Sequence, residues 1–155
     1  SGDGIYYGLI SSDIKEISLE IVNAIYGLNV TANEKQITID KTTGKNLNGQ
    51  TSSLFNIKYT SGLASPNLRI SLKRRNYDSI YNTNYETVDL KDYIIDNLDA
   101  TNNEYEYLIT DTIPQNLNYY IHFKDNLKTG TYKLYFSLYD GNNYIGDVYK
   151  YIFIK

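Results

Sequence analysis

The residues with the best chemical credentials are few and scattered. His122 is the one histidine. Its neighbours Ile121 and Phe123 alternate toward a core, so His122 is expected to face solvent. No Gly-x-Ser-x-Gly accompanies it, so the parts of a nucleophilic triad are not assembled. The chain has no cysteine, which excludes disulfides, thiol catalysis and a cysteine-ligated zinc. Glycine loops with phosphate-cradling or dinucleotide spacing are absent. The carboxylates form no local pair suited to glycosidic hydrolysis, although a pair assembled by folding is invisible in a sequence. Asp140-Gly141-Asn142 lacks the later glutamate and the oxygen spacing of an EF-hand loop and reads as a hairpin turn. No catalytic residue, metal ligand or cofactor is expected.

Recognition chemistry is better represented. The segment from Lys73 to Tyr85 carries Arg74, Arg75, Tyr77, Tyr81 and Asn82. Arginine, tyrosine and asparagine supply the flat contact area and hydrogen bonds that binding surfaces favour. With Asp140, Asn142 and Asn143 from the later turn, they form the candidate binding set. Outward tyrosines such as Tyr77, Tyr81, Tyr135 and Tyr139 could also stack on sugar rings. The plain alternative is a solvated loop in a chain that simply uses tyrosine often, 18 times in all.

The elements that position these residues read as strands. Phe55, Ile57 and Tyr59 alternate with Asn56 and Lys58, and Leu68, Ile70 and Leu72 with Arg69, Ser71 and Lys73. Further strands are predicted over Tyr85–Leu90, around Tyr105–Ile109, over Tyr119–Phe123 and from Tyr144 to Ile154. Between the last two runs, Tyr132, Leu134, Phe136 and Leu138 point inward, while Thr131, Lys133, Tyr135 and Ser137 point to water. Upstream, Ala24–Thr31 and Lys35–Asp40 read as strands, with Ile37 and Ile39 on one face. The stretch from Ile14 to Leu28 fits an amphipathic helix, with Asp13 and Glu16 as a capping box, and also fits a strand; the β character of the rest favours strand. Lys150 falls among inward positions of the last strand. A bulge near Gly146, an edge position, or a covalent bond to an Asn or Asp side chain would each account for it.

Leu127, Gly130 and Tyr132 carry a structural signal. Their spacing, just before an alternating strand, resembles the tyrosine corner of immunoglobulin-like β-sandwiches, in which the tyrosine hydroxyl bonds to backbone a few residues upstream. From about Leu54 onward, seven strands over about 100 residues suit such a domain. The run Leu127–Tyr139, the Asp140-Gly141 turn and the closing Tyr144–Ile154 strand together resemble immunoglobulin-like modules of large surface proteins from low-GC Gram-positive bacteria. The Cys and Trp of antibody domains are absent. The fold expected is therefore all-β: an antiparallel immunoglobulin- or fibronectin-III-like sandwich of seven to nine strands. Residues 46–155 would form it, with 1–45 as an N-terminal extension or the end of a preceding module. In that arrangement Lys73–Tyr85 falls between the second and third strands, at the same end as the Asp140 turn.

Composition narrows the function classes. The chain has 155 residues, 41% hydrophobic and 14% aromatic, enough for one core. A net charge of -3 gives no nucleic-acid footprint, and no apolar run approaches the roughly 20 residues of a membrane span. The Ser1-Gly2 start and the lack of Met suggest a processed fragment, with any targeting segment outside it. The resemblance implies a non-catalytic, exported or cell-surface module, a spacer or adhesion domain. Its partners would be a surface protein or glycan of a host or neighbouring cell, and adjacent domains of its own chain. A carbohydrate-binding module attached to a secreted enzyme is the alternative, and a phage virion decoration domain the second.

Overall fold

The computed structural model of the chain describes residues 27–34, 36–60, 62–76, 84–101, 103 and 105–155. Almost all of the ambiguous Ile14–Leu28 stretch lies outside these. The described chain is all-β, with ten strands: β1 (Asn29–Ala32), β2 (Ile37–Ile39), β3 (Ser53–Lys58), β4 (Pro66–Arg75), β5 (Tyr85–Val88), β6 (Asp99–Ala100), β7 (Tyr107–Thr110), β8 (Asn116–Ile121), β9 (Gly130–Asp140) and β10 (Asn143–Ile154).

Two sheets result. The smaller has the order β1-β3-β8 and is antiparallel throughout. The larger runs β2-β10-β9-β4-β7-β6, with β5 also paired to β4. Only β2 is parallel to its neighbour, β10. Strand β4 organises this sheet. One of its edges follows β9 along its length, while the other is shared, Leu68 to Ile70 with β7 and Leu72 to Arg75 with β5.

The alternation in the sequence sets which faces meet. Phe55 and Ile57 of β3, Leu68, Ile70 and Leu72 of β4, and Tyr132, Leu134, Phe136 and Leu138 of β9 are all fully buried. The Phe55 and Phe136 rings meet across the two sheets, centroids 5.1 Å apart and tilted by 47°. Each such side chain taken from water contributes roughly 1.5–3 kcal/mol, so this shared interior holds the layers together as a β-sandwich-like fold.

Three details bear on the expectations. The described strands before residue 46 join the two sheets: β1 pairs in the smaller, β2 pairs in the larger, and Val30, Ile37 and Ile39 are core residues. The strand predicted over Tyr85–Leu90 stops at Val88, because the Asp89 carboxylate accepts the Lys91 amide at 3.0 Å and caps a 3-10 turn, Leu90–Asp92. The bulge expected near Gly146 is present between Tyr144 and Gly146, but it does not turn Lys150 outward. Lys150 stays opposite Leu134, half-buried on a stretch of β10 that β2, paired only from Ile152 to Ile154, does not reach.

Candidate binding site

The three residues read as a corner act as one. The Tyr132 hydroxyl donates to the Lys128 carbonyl at 2.6 Å, four residues upstream, with the ring wholly buried. Leu127 is buried as well. Gly130 has φ 155°, and a Cβ there would lie 2.9 Å from the Arg74 Nε. A glycine suits the site because Arg74 lies across it and L-residues disfavour that backbone region.

Arg74 therefore has a different place from the one its sequence suggests. Its Nη2 donates to the Thr129 carbonyl at 2.7 Å, and its guanidinium lies 6.0 Å from the Tyr132 ring centre. It is part of the corner. Arg75 pairs with Tyr85 across the β4–β5 hairpin, which Asn76 continues by donating its amide to the Asn84 carbonyl at 2.8 Å. Tyr77, Tyr81 and Asn82, in the connection, lie outside the described residues.

Of the candidates in this segment, the described ones, Arg74 and Arg75, lie away from the Asp140 turn. Asp140 pairs with Pro66, at the start of β4, while Arg74 pairs with Tyr132 near its end. Strand 66–75 lies beside β9 in one sheet, running antiparallel to it, so Arg74 and Arg75 stand at the opposite end of the ladder from the β9–β10 turn. What Asp140 meets is the entry to β4. Its Oδ1 accepts the Ser65 amide at 2.7 Å, and the Asn67 side chain donates to the Gly141 carbonyl at 2.8 Å. Arg69 bonds the Gly141 carbonyl at 3.1 Å and the Asn142 Oδ1 at 3.3 Å. Asn143 opens β10 opposite Asp140.

Arg69 leads from that turn onto the outward face of the larger sheet. Its guanidinium stacks 3.8 Å from the centre of the Tyr139 ring. Registry places outward side chains of β4, β9 and β10 in transverse rows: Arg69, Ser137 and Asp147; Ser71, Tyr135 and Tyr149; Lys73, Lys133 and Tyr151. The directly opposed Lys73 and Lys133 would repel. Aromatic rings offset this, since Lys73 lies 4.9 Å from the Tyr135 ring centre and Lys133 lies 4.4 Å from Tyr85 and 4.5 Å from Tyr149. Tyr135, Tyr149, Tyr151 and Phe153 follow one another at centroid separations of 5.3–6.2 Å.

A cleft of about 290 Å³ opens on this face, lined among others by Ser71, Lys73, Tyr105, Glu106, Tyr144 and Asp147. Glu106 is buried. A turn folds it onto the sheet: the Glu106 amide donates to the Asn103 carbonyl, and the Thr101 hydroxyl donates to the Glu106 carbonyl at 2.7 Å. The Tyr139 hydroxyl lies 3.3 Å from both carboxylate oxygens, longer than the roughly 2.7 Å usual for such bonds. Burial raises the Glu106 pKa, partly offset by the charge of Arg69. Tyr144, about half exposed, donates to Asp147 at 2.8 Å and meets Tyr139 edge to face. Burial and that bond to a carboxylate raise its pKa. Ser137, expected in water, is buried between these neighbours.

His122 is partly exposed, as its alternation requires, and its Nδ1 lies 3.0 Å from Asp96. No group of three or more potential metal ligands occurs among the described residues, and no helix there is long and apolar enough to cross a membrane. Arg69, Glu106, Tyr144 and Asp147 escaped the sequence reading. The outward parity of Lys133, Tyr135 and Tyr139 was the available signal; it named the face but not the residues that neighbouring strands bring to it. No known family model matches the chain, and no curated protein matches it.

Proposed function

We propose that the chain is a non-catalytic, immunoglobulin-like module of an exported or cell-surface bacterial protein, a spacer that also adheres. Its binding surface is the outward face of the larger sheet rather than the loops at one end. The observation that carries this is the aromatic and cationic lattice on that face, with Tyr135, Tyr149 and Tyr151 in contact and Lys133 among them. Flat rings with fixed cations present contact area that is already ordered before a partner arrives. The immunoglobulin-like reading is supported by the strand neighbours. The order β10-β9-β4 corresponds to G-F-C, β1-β3-β8 to A-B-E, and the latched tyrosine stands at the start of the F-like strand. In this alignment the strand first read as the second of seven takes the place of C.

The test is retention of the fluorescent 155-residue chain on intact bacterial and epithelial cells. Adhesion that falls at least tenfold in Tyr149→Ala/Tyr151→Ala, and not in Tyr120→Ala on the smaller sheet, supports the reading. No adhesion by the wild-type chain, or equal adhesion by all three, overturns it. A carbohydrate-binding module remains the second reading. Tyr135 and Tyr139, the two sugar-stacking candidates on this face, both line the cleft, which favours it.

A further inference from the structure

The outward face of the larger sheet is not uniform. Part of it opens into the cleft, where both signs of charge meet. Glu106 and Asp147 bring carboxylates to it, and Lys73 brings an ammonium group. Arg69 stands at its margin, stacked on Tyr139.

This mixture selects by exclusion. A cationic ligand would look for bare aromatic faces, but Arg69, Lys73 and Lys133 already lie over Tyr139, Tyr135 and Tyr149. It would also meet their repulsion. An anionic ligand would face two carboxylates, one of them buried. A neutral molecule that both donates and accepts hydrogen bonds, and that has an apolar face, meets neither penalty.

Glu106 supplies the positive argument. A carboxylate has about four acceptor sites. Tyr139 has a single hydroxyl proton, shared between both oxygens at 3.3 Å. The carboxylate thus has acceptor capacity that its hydroxyl partner does not fill. Ligand hydroxyls donating to it would form charge-assisted bonds, about twice as strong as neutral ones. Tyr144, 48% exposed at the same cleft, offers ring surface against which the C–H face of a sugar can lie. The cleft volume of about 290 Å³ is near the lower end of the roughly 300–1,000 Å³ typical of small-ligand sites, which suits one or two sugar units of a longer chain.

We propose that this cleft binds a neutral oligosaccharide, with Glu106 and Asp147 accepting its hydroxyls, Lys73 donating to its oxygens and Tyr144 packing against a sugar ring. The proposal rests on the reading of this face as the binding surface and names its ligand class.

An array of neutral and anionic oligosaccharides, including β-glucan, α-glucan, xylan and mannan hexamers, probed with the labelled full chain tests this. Titration calorimetry with any retained hexamer follows, on wild type, Glu106→Gln, Tyr144→Ala and Tyr120→Ala. Retention of a neutral hexamer is expected, with affinity falling about tenfold or more in Glu106→Gln and in Tyr144→Ala and unchanged in Tyr120→Ala. An array without neutral binders overturns the proposal, as does affinity unaffected by both cleft variants. If cell adhesion persists while the array is blank, only the ligand class fails. If both fail, so does the reading of the face. Appearance of new reducing ends on a bound hexamer upholds the ligand but overturns the non-catalytic reading.

Discussion

Arg74 and Asp140 stand at opposite ends of one antiparallel ladder, Arg74 opposite Tyr132 and Asp140 opposite Pro66. From Pro66 to Arg74 the strand advances eight residues, roughly 26 Å at about 3.3 Å per residue. Arg74 bonds the Thr129 carbonyl and Asp140 the Ser65 amide. Arg74→Ala and Asp140→Ala should therefore each cost about 1 kcal/mol and add to within roughly 0.5 kcal/mol in the double variant. Urea unfolding of the four-member cycle measures this. A coupling above about 1 kcal/mol would place the two in one site after all.

The corner hydroxyl serves two partners. Its one proton goes to the Lys128 carbonyl at 2.6 Å, so in the 3.0 Å contact with Tyr93 the proton comes from Tyr93. Tyr132→Phe leaves both partners without their bond, the Tyr93 contact buried and the Lys128 one part-buried, at an expected cost of about 2–3 kcal/mol. Tyr93→Phe leaves the Lys128 bond intact and should cost about 1 kcal/mol. Equal losses in the two variants, read from urea midpoints at constant m-value, would remove the special role of the corner.

Gly130→Ala tests the same corner from the backbone. At φ 155° a side chain costs of order 1–3 kcal/mol, and the new Cβ would press on the Arg74 guanidinium. If Arg74 is the obstacle, adding Arg74→Ala to Gly130→Ala recovers part of the loss. If only the backbone angle matters, the loss stays the same.

Alkali should unfold this protein early. Tyr59, Tyr119, Tyr132, Tyr139 and Tyr144 all have raised pKa values, chiefly through burial, with Tyr119 pushed up to about 12. Between the ordinary value of 10.0 and the raised ones, the unfolded chain loses protons that the folded chain keeps. Their contribution to stability is complete below pH 10 and is lost as pH rises above it. The melting temperature should hold level toward pH 10 and then drop, less steeply in Tyr132→Phe. A profile level through pH 11 contradicts this.

Glu106 gives the corresponding signature in acid. Burial raises its pKa above the ordinary 4.5, so the folded state favours the protonated form. Its contribution is complete below pH 4.5 and is lost as pH rises through the raised folded value. Glu106→Gln, which cannot ionise, should gain stability relative to wild type between pH 4 and pH 7. A stability difference that is constant across that range, by urea denaturation, would show that the carboxylate pays no burial penalty.

Within single strands, much was legible from residue order alone. Alternation at period two placed Phe55, Leu68, Ile70, Leu72, Leu134, Phe136 and Ile152 inside and Lys133 and Tyr135 outside. The Leu127, Gly130 and Tyr132 spacing located a hydroxyl-to-backbone bond only four residues long. Both are local, because a strand's faces and a short turn depend on neighbours in the chain.

The partners of each strand were decided only by the folded chain. A pleated strand presents the same alternation whichever strand lies beside it, so nothing in Pro66–Arg75 announces that β9 is its neighbour. That choice put Arg74 in the corner and Arg69 against Tyr139. It also opposed Lys73 to Lys133 and drew Glu106, from a turn remote in sequence, onto the sheet. Val30, Ile37 and Ile39 tell the same story: their pattern marked strands, but long-range pairing with β3 and β10 made them core. The order of residues determined which side chains seek the interior; three-dimensional pairing determined which outward side chains meet, since that depends on contacts among strands far apart along the chain.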